Sequence, residues 1–385
     1  MRAMTARATP VQCSPKSCPP STMFTPQDHD FMQAALDLAG RALFTTTPNP
    51  RVGCVIVRDG VVLGEGHTQP PGQNHAEIQA LHDARARGHE VAGATAYVSL
   101  EPCSHFGRTP PCVNALIEAR LARVIAAMED PNPRVSGRGL EALRQAGIEV
   151  RCGLMEREAR ERNIGFVARM TGGRPWVRLK VAASLDGRTA LHDGTSQWIT
   201  GEAARADGHA WRARACAVAT GIGTVLRDDP ALTVRAIDTP RQPWPVLVDS
   251  RLRVELDCKL VKRGNLVIFS ARRDPAKERE LAERGCEVVH LPDAAGRVDL
   301  AAMVAELGRR EVNELHVEAG SRLGGALLGA GVVNELLVYL APLLLGDARP
   351  MFDLPALTAL GDARPLVYHS VEQVGADLRI LARLT

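Results

Sequence analysis

Strand-like apolar runs alternate with stretches of helical spacing along most of this chain, and that alternation limits its fold more than any other feature. The first series opens with apolar runs at residues 52–57 and 61–63, which flank an Asp-Gly pair typical of a hairpin turn. It continues with helical spacing at 76–86, 112–121 and 140–146 and with strand-like runs at 94–100, 123–128 and 148–154. Strands that alternate with helices form a sheet with crossover helices, so the sequence predicts an α/β layer architecture.

A break in this pattern divides the chain into two units. A helical stretch at 156–170 ends in Thr-Gly-Gly-Arg-Pro at 171–175, a composition typical of a domain boundary. Beyond it, strand-like runs recur at 177–181, 215–220, 245–249, 266–270, 287–291, 314–318 and 335–340. The length of 385 residues suits two to three domains of about 150 residues each. We therefore predict one α/β domain at 23–171 and a second at 175–385.

The first 22 residues are rich in Ser, Thr and Pro and contain no acidic residue, which predicts a disordered tail. A transit peptide is the alternative, but the segment has no amphipathic face. Met23 then becomes a candidate start. The following Thr25-Pro26-Gln27-Asp28 is typical of a helix N-terminus, with a capping hydroxyl, a proline in the first turn and an acid behind it.

Charge, hydropathy and cysteine content exclude several classes of function. The 47 basic and 44 acidic residues leave a net charge of +3, too little for a protein that binds phosphate backbones non-specifically. The longest apolar run, at 336–345, is half the length of about 20 residues that a membrane-spanning helix needs. Nine cysteines without a secretory signal predict free thiols or metal ligands in a reducing compartment. We therefore expect a cytoplasmic protein without nucleic-acid or membrane partners.

Three residues of the first unit form a candidate metal site. His75 starts a predicted helix, Cys103 follows a predicted strand, and Cys112 opens the next helix. One imidazole and two thiolates can fill three corners of a Zn²⁺ tetrahedron and leave the fourth for water. Glu77 is too close in sequence to His75 to be a comfortable co-ligand, but it can face that water and transfer its proton. A closed structural zinc site, or cysteines that are simply buried, is the alternative.

The histidine, glutamate and Pro-Cys pattern resembles the signature of zinc nucleobase deaminases, although eight residues rather than two separate the cysteines here. The string 101–112, Glu-Pro-Cys-Ser-His-Phe-Gly-Arg-Thr-Pro-Pro-Cys, closely resembles the deaminase half of the bifunctional riboflavin-biosynthesis deaminase–reductases. The segments 48–53 and 64–68 extend the resemblance. It implies a cytidine-deaminase-like three-layer domain, with Asn49 and His67 as substrate contacts.

Glycines in the second unit are a weaker signal. The strand-like run at 316–318 passes through Gly320, Gly324 and Gly325 into a predicted helix. Such glycines let backbone N–H groups approach a phosphate, but they serve equally well for tight packing. The spacing is not Gly-x-Gly-x-x-Gly, so a Rossmann dinucleotide site is not supported.

Three further segments, at 180–190, 196–200 and 224–230, resemble the reductase half of the same family. The resemblance implies an α/β fold similar to dihydrofolate reductase and NADPH as cofactor. It implies cofactor contacts at Ala182, Trp198, Thr224, Asp228, Gly320, Ser321, Arg322, Leu323, Gly324, Gly325 and Ala326. It implies substrate contacts at Ser196, Arg212, Leu232, Arg235 and Glu318. From the residues alone, 228–230 could be a plain turn and Arg212 a solvated helix charge. We add the hypothesis that Arg272 and Arg273 hold the 2′-phosphate of NADPH.

The resemblance covers nearly all of the chain beyond the tail, in the order deaminase then reductase. It implies zinc-dependent hydrolytic deamination of 2,5-diamino-6-(5-phosphoribosylamino)pyrimidin-4-one, with Glu77 as the catalytic residue. NADPH-dependent reduction of the ribosyl group of 5-amino-6-(5-phosphoribosylamino)uracil to ribityl follows. The partners expected are these phosphoribosyl pyrimidines, with homo-oligomerisation left open. A nucleic-acid deaminase with an accessory binding domain, and a non-enzymatic protein with a folding zinc, are the rival interpretations.

Overall fold

The computed structural model describes residues 24–105, 110–133 and 135–384. The predicted tail at 1–22 lies outside these residues, as do 106–109 in the loop between Cys103 and Cys112. The first domain contains helices α1 (Pro26–Arg41), α2 (Ala76–Ala86), α3 (Cys112–Glu118), α4 (Arg138–Gln145), α5 (Glu156–Arg162) and α6 (Ile164–Gly172). Its strands are β1 (Gly53–Arg58), β2 (Val61–His67), β3 (Thr95–Val98), β4 (Arg123–Ala126) and β5 (Glu149–Cys152).

These five strands form one sheet in the order β2-β1-β3-β4-β5, antiparallel on either side of β1 and parallel from β3 to β5. Local sequence accounts for its first elements. Thr25 caps α1 and forms a capping box with Asp28, as the sequence predicts. Asp59 and Gly60 both have positive φ, at 52° and 77°, the backbone that a two-residue turn between β1 and β2 requires.

Helices cover both faces of the sheet. Successive residues of a strand point to opposite faces. A Cβ on Gly53 would meet the carbonyl oxygen of Ala35 in α1 at 1.9 Å, so α1 packs directly on this face. Gly66, which pairs with Cys54 of β1, faces the other way, and a Cβ there would meet the carbonyl oxygen of Ala76 in α2 at 2.3 Å. The first domain therefore has three layers, with α2 on the face opposite to α1.

The second domain contains a nine-stranded sheet and a short two-stranded one. Its strands are β6 (Trp176–Ser184), β7 (Arg188–Ala190), β8 (Ala217–Gly221), β9 (Trp244–Val248), β10 (Val267–Ser270), β11 (Glu287–His290), β12 (Glu314–Glu318), β13 (Glu335–Ala341), β14 (Arg349–Pro350), β15 (Leu366–Val374) and β16 (Asp377–Leu384). Its helices are α7 (Glu202–Arg214), α8 (Ile222–Asp228), α9 (Lys259–Arg263), α10 (Pro275–Glu283), α11 (Leu300–Arg309) and α12 (Ser321–Gly329). The large sheet has the order β11-β10-β9-β8-β12-β6-β13-β16-β15, and only the last two strands are antiparallel to their neighbours.

Three details differ from the sequence-based expectation. The helical stretch at 156–170 is two helices, α5 and α6, separated at Asn163, whose buried amide bonds the backbone of Arg51. The hairpin of β15 and β16 was not predicted; most of β15 is exposed, so it lacks a buried apolar run. The apolar runs around Cys54 and Cys216 predict core positions for both; Cys54 is fully buried, whereas Cys216 is half-buried, packs against the core of the second domain and has its Sγ 2.7 Å from Oγ1 of Thr47 in the first.

The two domains meet through buried charged groups. Glu314, at the start of β12, is 1% exposed and forms ion pairs with Arg51 of the first domain and with Arg178 and Arg214 of the second. A Cβ on Gly165 of α6 would lie 2.4 Å from Cγ of the same glutamate, so the helix packs directly against this strand end. Among the residues described, no helix has the length and apolarity needed to cross a bilayer.

Candidate active sites

His75, Cys103 and Cys112 come together in the first domain. Nδ1 of His75 lies 3.6 Å from Sγ of Cys103 and 3.3 Å from Sγ of Cys112. His75 is the N-cap of α2 and Cys112 is the first residue of α3, so two helix N-termini hold two of the three groups. The backbone N–H of Cys112 donates to Sγ of Cys103 at 3.3 Å. This contact stabilises a thiolate on Cys103, which has no helix terminus of its own.

The cluster has the dimensions of a zinc site. The three possible ligand atoms lie within 4.8 Å of one another. Bonds of about 2.0–2.3 Å to one tetrahedral zinc ion place ligand atoms about 3.5 Å apart. The hydrogen bond between the two thiols lowers the pKa of Cys103 and raises that of Cys112, as expected for neighbouring sulfurs that share one proton. One imidazole and two sulfurs therefore fit Zn²⁺, and two of the three residues, His75 and Cys103, line the adjoining cavity.

That cavity has a volume of about 310 Å³ and is lined by Glu77, Cys103 and Asn49 among others. Glu77 is 4% exposed, and burial raises its pKa to about 7. Asn49 lies in the wall, and its role as a substrate contact stays a prediction. His67, at the end of β2, is half-buried and does not belong to the lining, so a substrate contact there stays a prediction.

Several residues that line this cavity were not singled out from the sequence. Asp130 follows β4 and is buried, which raises the pKa of its carboxyl to about 7. Arg169 of α6 and Glu311 of the second domain lie on the wall that faces the domain junction. No spacing signal connects these positions, because they are far apart in the chain and converge only in the folded protein, with Glu311 contributed by the second domain.

The second candidate site lies at the carboxyl ends of the parallel strands β8, β12 and β6, where open α/β sheets bind ligands. Gly221 ends β8 and caps α8, and Gly320 follows β12 and caps α12. Because β8 and β12 are neighbours, both helix N-termini open at the same edge of the sheet. A side chain added at Gly320 would meet no described atom within 4 Å. The backbone N–H groups at this helix N-terminus are therefore open to a phosphate, and this edge of the sheet fits a nucleotide cofactor.

The other two glycines of the same segment serve packing. A Cβ on Gly325 would lie 2.1 Å from the carbonyl oxygen of Asp353, and one on Gly324 would lie 3.3 Å from the ring of Phe352. Both positions are buried, whereas Gly320 and Arg322 are exposed. The sequence alone is compatible with either phosphate binding or tight packing at these glycines. The geometry favours packing at Gly324 and Gly325 and keeps the cofactor hypothesis for the N-terminal end of α12.

Arg212 and Glu318 form a close, partly buried pair beside this edge. Nη2 of Arg212 donates to Oε2 of Glu318 at 2.8 Å, and Nη1 donates to the carbonyl oxygen of Thr233 at 3.1 Å. Arg212 is therefore not a solvated helix charge. Although burial acts in the opposite direction, Arg212 holds the pKa of Glu318 well below its usual range. Lys180 of β6 lies close enough to influence the same carboxylate, and burial lowers the pKa of its ammonium group.

The other residues expected at this site occupy different environments. Arg235 is exposed beside Thr233, to which its Nη1 donates at 3.3 Å. The side chain of Leu232 packs in a hydrophobic cluster with Val218 and Val225, so only its backbone, with φ of 50°, could contact a ligand. Ser196, Thr224 and Ala182 are half-buried, Asp228 and Ala326 are exposed, and Ser321 and Leu323 lie half-buried in the first turn of α12.

Two aromatic and basic features complete this region. The indole of Trp198 is 68% exposed, with the guanidinium of Arg205 4.5 Å from its ring centre. Arg272 and Arg273 follow β10 and are both exposed. Nη1 of Arg273 is paired with Glu278 at 3.2 Å, which leaves Arg272 as the stronger candidate for the 2′-phosphate. That hypothesis stays a prediction.

Family models match both domains. One described as "Cytidine and deoxycytidylate deaminase zinc-binding region" matches residues 25–128, and one described as "RibD C-terminal domain" matches residues 175–380. These matches confirm the predicted order of a deaminase-like domain followed by a reductase domain. Zinc as a cofactor of the first domain is consistent with the matched region and with the His75, Cys103 and Cys112 cluster.

Whole-chain relatives agree. The riboflavin biosynthesis protein RibD of Escherichia coli K12 is 47% identical and covers 91% of this chain and 98% of its own length. The RibD protein of Haemophilus influenzae is 45% identical, and the match covers 93% of this chain and 97% of the relative's own length. The structure of Acinetobacter baumannii RibD superposes with a TM-score of 0.86 at 41% identity over 93% of this chain and 99% of its own. The structure of the Thermotoga maritima diaminohydroxyphosphoribosylaminopyrimidine deaminase/5-amino-6-(5-phosphoribosylamino)uracil reductase superposes with a TM-score of 0.83 at 32% identity. This match also covers 93% of this chain and 99% of the other. The chain therefore belongs to the RibD family of bifunctional riboflavin-biosynthesis enzymes, which join a deaminase domain to a reductase domain.

Proposed function

We propose that the first domain hydrolytically deaminates 2,5-diamino-6-(5-phosphoribosylamino)pyrimidin-4-one, and that the second reduces 5-amino-6-(5-phosphoribosylamino)uracil with NADPH to the ribityl compound. The observation that carries the first half is the convergence of His75, Cys103, Cys112 and Glu77 at one cavity. The Thermotoga maritima relative is a deaminase and reductase of this kind by description, which supports the same substrates here.

In the deaminase site, His75, Cys103 and Cys112 would hold zinc. When bound, zinc supplies a water activated for attack on the amino-bearing carbon. Glu77, buried at the start of α2, accepts the proton of that water at its carboxylate and donates it to the departing amino group. Asn49 in the cavity wall orients the pyrimidine ring. The cavity wall keeps the ring fixed relative to Glu77.

In the reductase site, NADPH supplies the hydride that C1′ of the ribosylamine accepts. We propose that Trp198, Thr224, Asp228 and the first turn of α12 contact the nicotinamide nucleotide. Because the carboxylate of Glu318 balances the charge of Arg212, we expect this pair to bind neutral sugar hydroxyls. The exposed Arg235 keeps its positive charge free to bind the 5′-phosphate of the substrate. We propose Lys180, whose ammonium group is close enough to influence the carboxylate of Glu318, as the donor of the proton that the ring oxygen needs as the sugar opens.

The partners are small molecules, consistent with an enzyme that acts on them. We further propose that the protein works in the cytoplasm without nucleic acid, in line with its net charge of +3. A homo-oligomer is compatible with the exposed outer strand β15. Membership of the RibD family disfavours the rival interpretation of a nucleic-acid deaminase, and a mobility-shift assay with tRNA, in which we expect no binding, tests it directly.

The test follows ammonia release and NADPH oxidation in one cuvette, with zinc-loaded protein and the diaminopyrimidinone substrate. Wild type should do both. Glu77→Gln should release no ammonia yet still oxidise NADPH when the deaminated intermediate is supplied, because the two sites use different residues. Ammonia release without NADPH oxidation in wild type would refute the reductase half.

A further inference from the structure

One wall of the deaminase cavity depends on a side chain of the reductase domain. Asn313 immediately precedes β12 and is 5% exposed. Its Nδ2 donates to the carbonyl oxygen of Pro48 at 2.8 Å, and its Oδ1 accepts from Nε of Arg169 at 2.6 Å. Pro48 and Arg169 both line the cavity that contains Glu77 and Cys103. One carboxamide thus connects two separate parts of the cavity wall, 121 positions apart in the chain (169 − 48).

The backbone around this carboxamide is fixed by the large sheet. The carbonyl oxygen of Asn313 accepts from the backbone N–H of Trp176 at 2.8 Å, and its own N–H donates to Sγ of Cys216 at 3.2 Å. The next residue, Glu314, is held by three guanidiniums. The side chain therefore projects from a rigid strand end, and the two groups that it bonds are placed relative to that strand.

Both bonded groups line the cavity, and neither belongs to the possible zinc ligands. Pro48 precedes Asn49, the proposed pyrimidine contact. Arg169 uses Nε for Asn313, and no described residue accepts a hydrogen bond from its two terminal nitrogens. The zinc ligands and Glu77 lie on α2 and α3 and in the loop before α3, and none of them has a hydrogen bond to Asn313 among the described residues.

From this geometry we infer that Asn313 is a positioning residue of the deaminase: the reductase domain supplies the carboxamide that sets the substrate-binding wall of the other domain's active site. This inference rests on the proposed deaminase function. Removal of the carboxamide frees Pro48 and Arg169 together, while the zinc ligands and Glu77 keep their own supports. The effect should therefore fall on the KM of deamination, with the turnover number little changed.

The experiment uses full-length, zinc-loaded protein and measures kcat and KM of deamination and of reduction separately, each with its own substrate. Asn313→Ala should raise the deaminase KM about tenfold, the loss expected when one buried hydrogen bond to a binding group is broken. Its deaminase kcat should stay within about twofold, as should both constants of reduction. Asn313→Asp has almost the same size and keeps an acceptor for Arg169, but it places a carboxylate oxygen against the carbonyl of Pro48. It should raise the deaminase KM as well.

Asn334→Ala is the matched control. Oδ1 of Asn334 accepts from the backbone N–H of Val177 at 2.9 Å, next to the Trp176 N–H that bonds Asn313, but Asn334 does not line the cavity. This variant loses a similar bond at the same sheet edge and should lower the melting temperature without change in the deaminase KM. Reductase turnover in every variant reports whether the chain is folded. If Asn313→Ala does not fold, the deaminase KM of Asn313→Asp tests the inference instead.

The outcomes are distinguishable. If wild type releases no ammonia, the proposed function fails. If wild type is active and the Asn313 variants have the same deaminase KM as Asn334→Ala, the proposed function stands and the positioning role is wrong. If the Asn313 variants change reductase constants as much as deaminase KM, the residue only stabilises the fold, and the inference is again wrong.

Discussion

Glu314→Gln should strongly destabilise the protein, because Glu314 forms ion pairs with three buried or partly buried cations at the domain junction. Its oxygens lie 2.8 Å from Nη1 of Arg51, 3.0 Å from Nη1 of Arg178 and 2.7 Å from Nε of Arg214. The glutamate is 1% exposed. Glutamine keeps the size but removes the charge, which leaves Arg51 and Arg214 without an acidic partner among the described residues and Arg178 with Glu335 alone.

The magnitude follows from burial. Removal of one partner of a buried ion pair typically costs about 3–5 kcal/mol, so we expect the free energy of unfolding at pH 7 to fall by that amount. The loss should depend on pH. Although burial acts in the opposite direction, the guanidiniums hold the pKa of Glu314 well below its usual range. A carboxyl with a depressed folded pKa stabilises the protein above its unfolded pKa of about 4.3, and this stability is lost as pH falls toward the folded pKa. The difference between wild type and variant should therefore shrink below about pH 4.

Urea unfolding followed by circular dichroism at pH 7, 4 and 3 measures both effects. Glu287→Gln is the matched control, because both oxygens of Glu287 pair with Arg310 at 2.6 Å while 55% of its side chain is exposed. An exposed pair of this kind contributes about 0–1 kcal/mol. If Glu314→Gln costs no more than Glu287→Gln at pH 7, the assignment of the junction's stability to this charge cluster is wrong.

The other predictions concern each site and its scaffold. Glu77→Gln should lower the turnover of deamination by about 10²–10⁴-fold, the usual contribution of a proton-transfer group, with reduction unchanged; equal loss of both activities would indicate a folding role. Lys180→Met should lower the turnover of reduction by about 10²-fold while ammonia release continues, and an unchanged reductase would exclude Lys180 as proton donor. Gly53→Ala should lower the free energy of unfolding by about 1–3 kcal/mol or more, because the new Cβ would meet the carbonyl oxygen of Ala35 at 1.9 Å. Gly172→Ala is the control: a Cβ there would meet no described atom within 4 Å, so its melting temperature should stay close to that of wild type. Arg272→Ala should weaken the preference for NADPH over NADH, measured as the ratio of kcat/KM values, and an unchanged ratio would reject the 2′-phosphate hypothesis.

Local sequence determined most of the secondary structure and the chemistry of the first site. The capping box of Thr25 and the Asp59-Gly60 turn act over a few residues, so pattern alone predicts them. The zinc cluster was predictable because its residues combine distinctive side chains with strand and helix ends whose positions the alternation indicates. The reductase contacts came from resemblance and not from spacing, since strand ends followed by glycines occur in many folds.

Tertiary structure alone decided which residues of one domain complete the site of the other. The hydrogen bond between Asn313 and Pro48 spans 265 positions, and Glu311 reaches the deaminase cavity from the second domain. It also decided that Gly324 and Gly325 serve packing, and that the thiol of Cys216 contacts Thr47 of the other domain. Periodicity reports which face of an element is buried, but it does not identify what packs against that face. Contacts between distant segments depend on how the two sheets pack, and no local pattern encodes that packing.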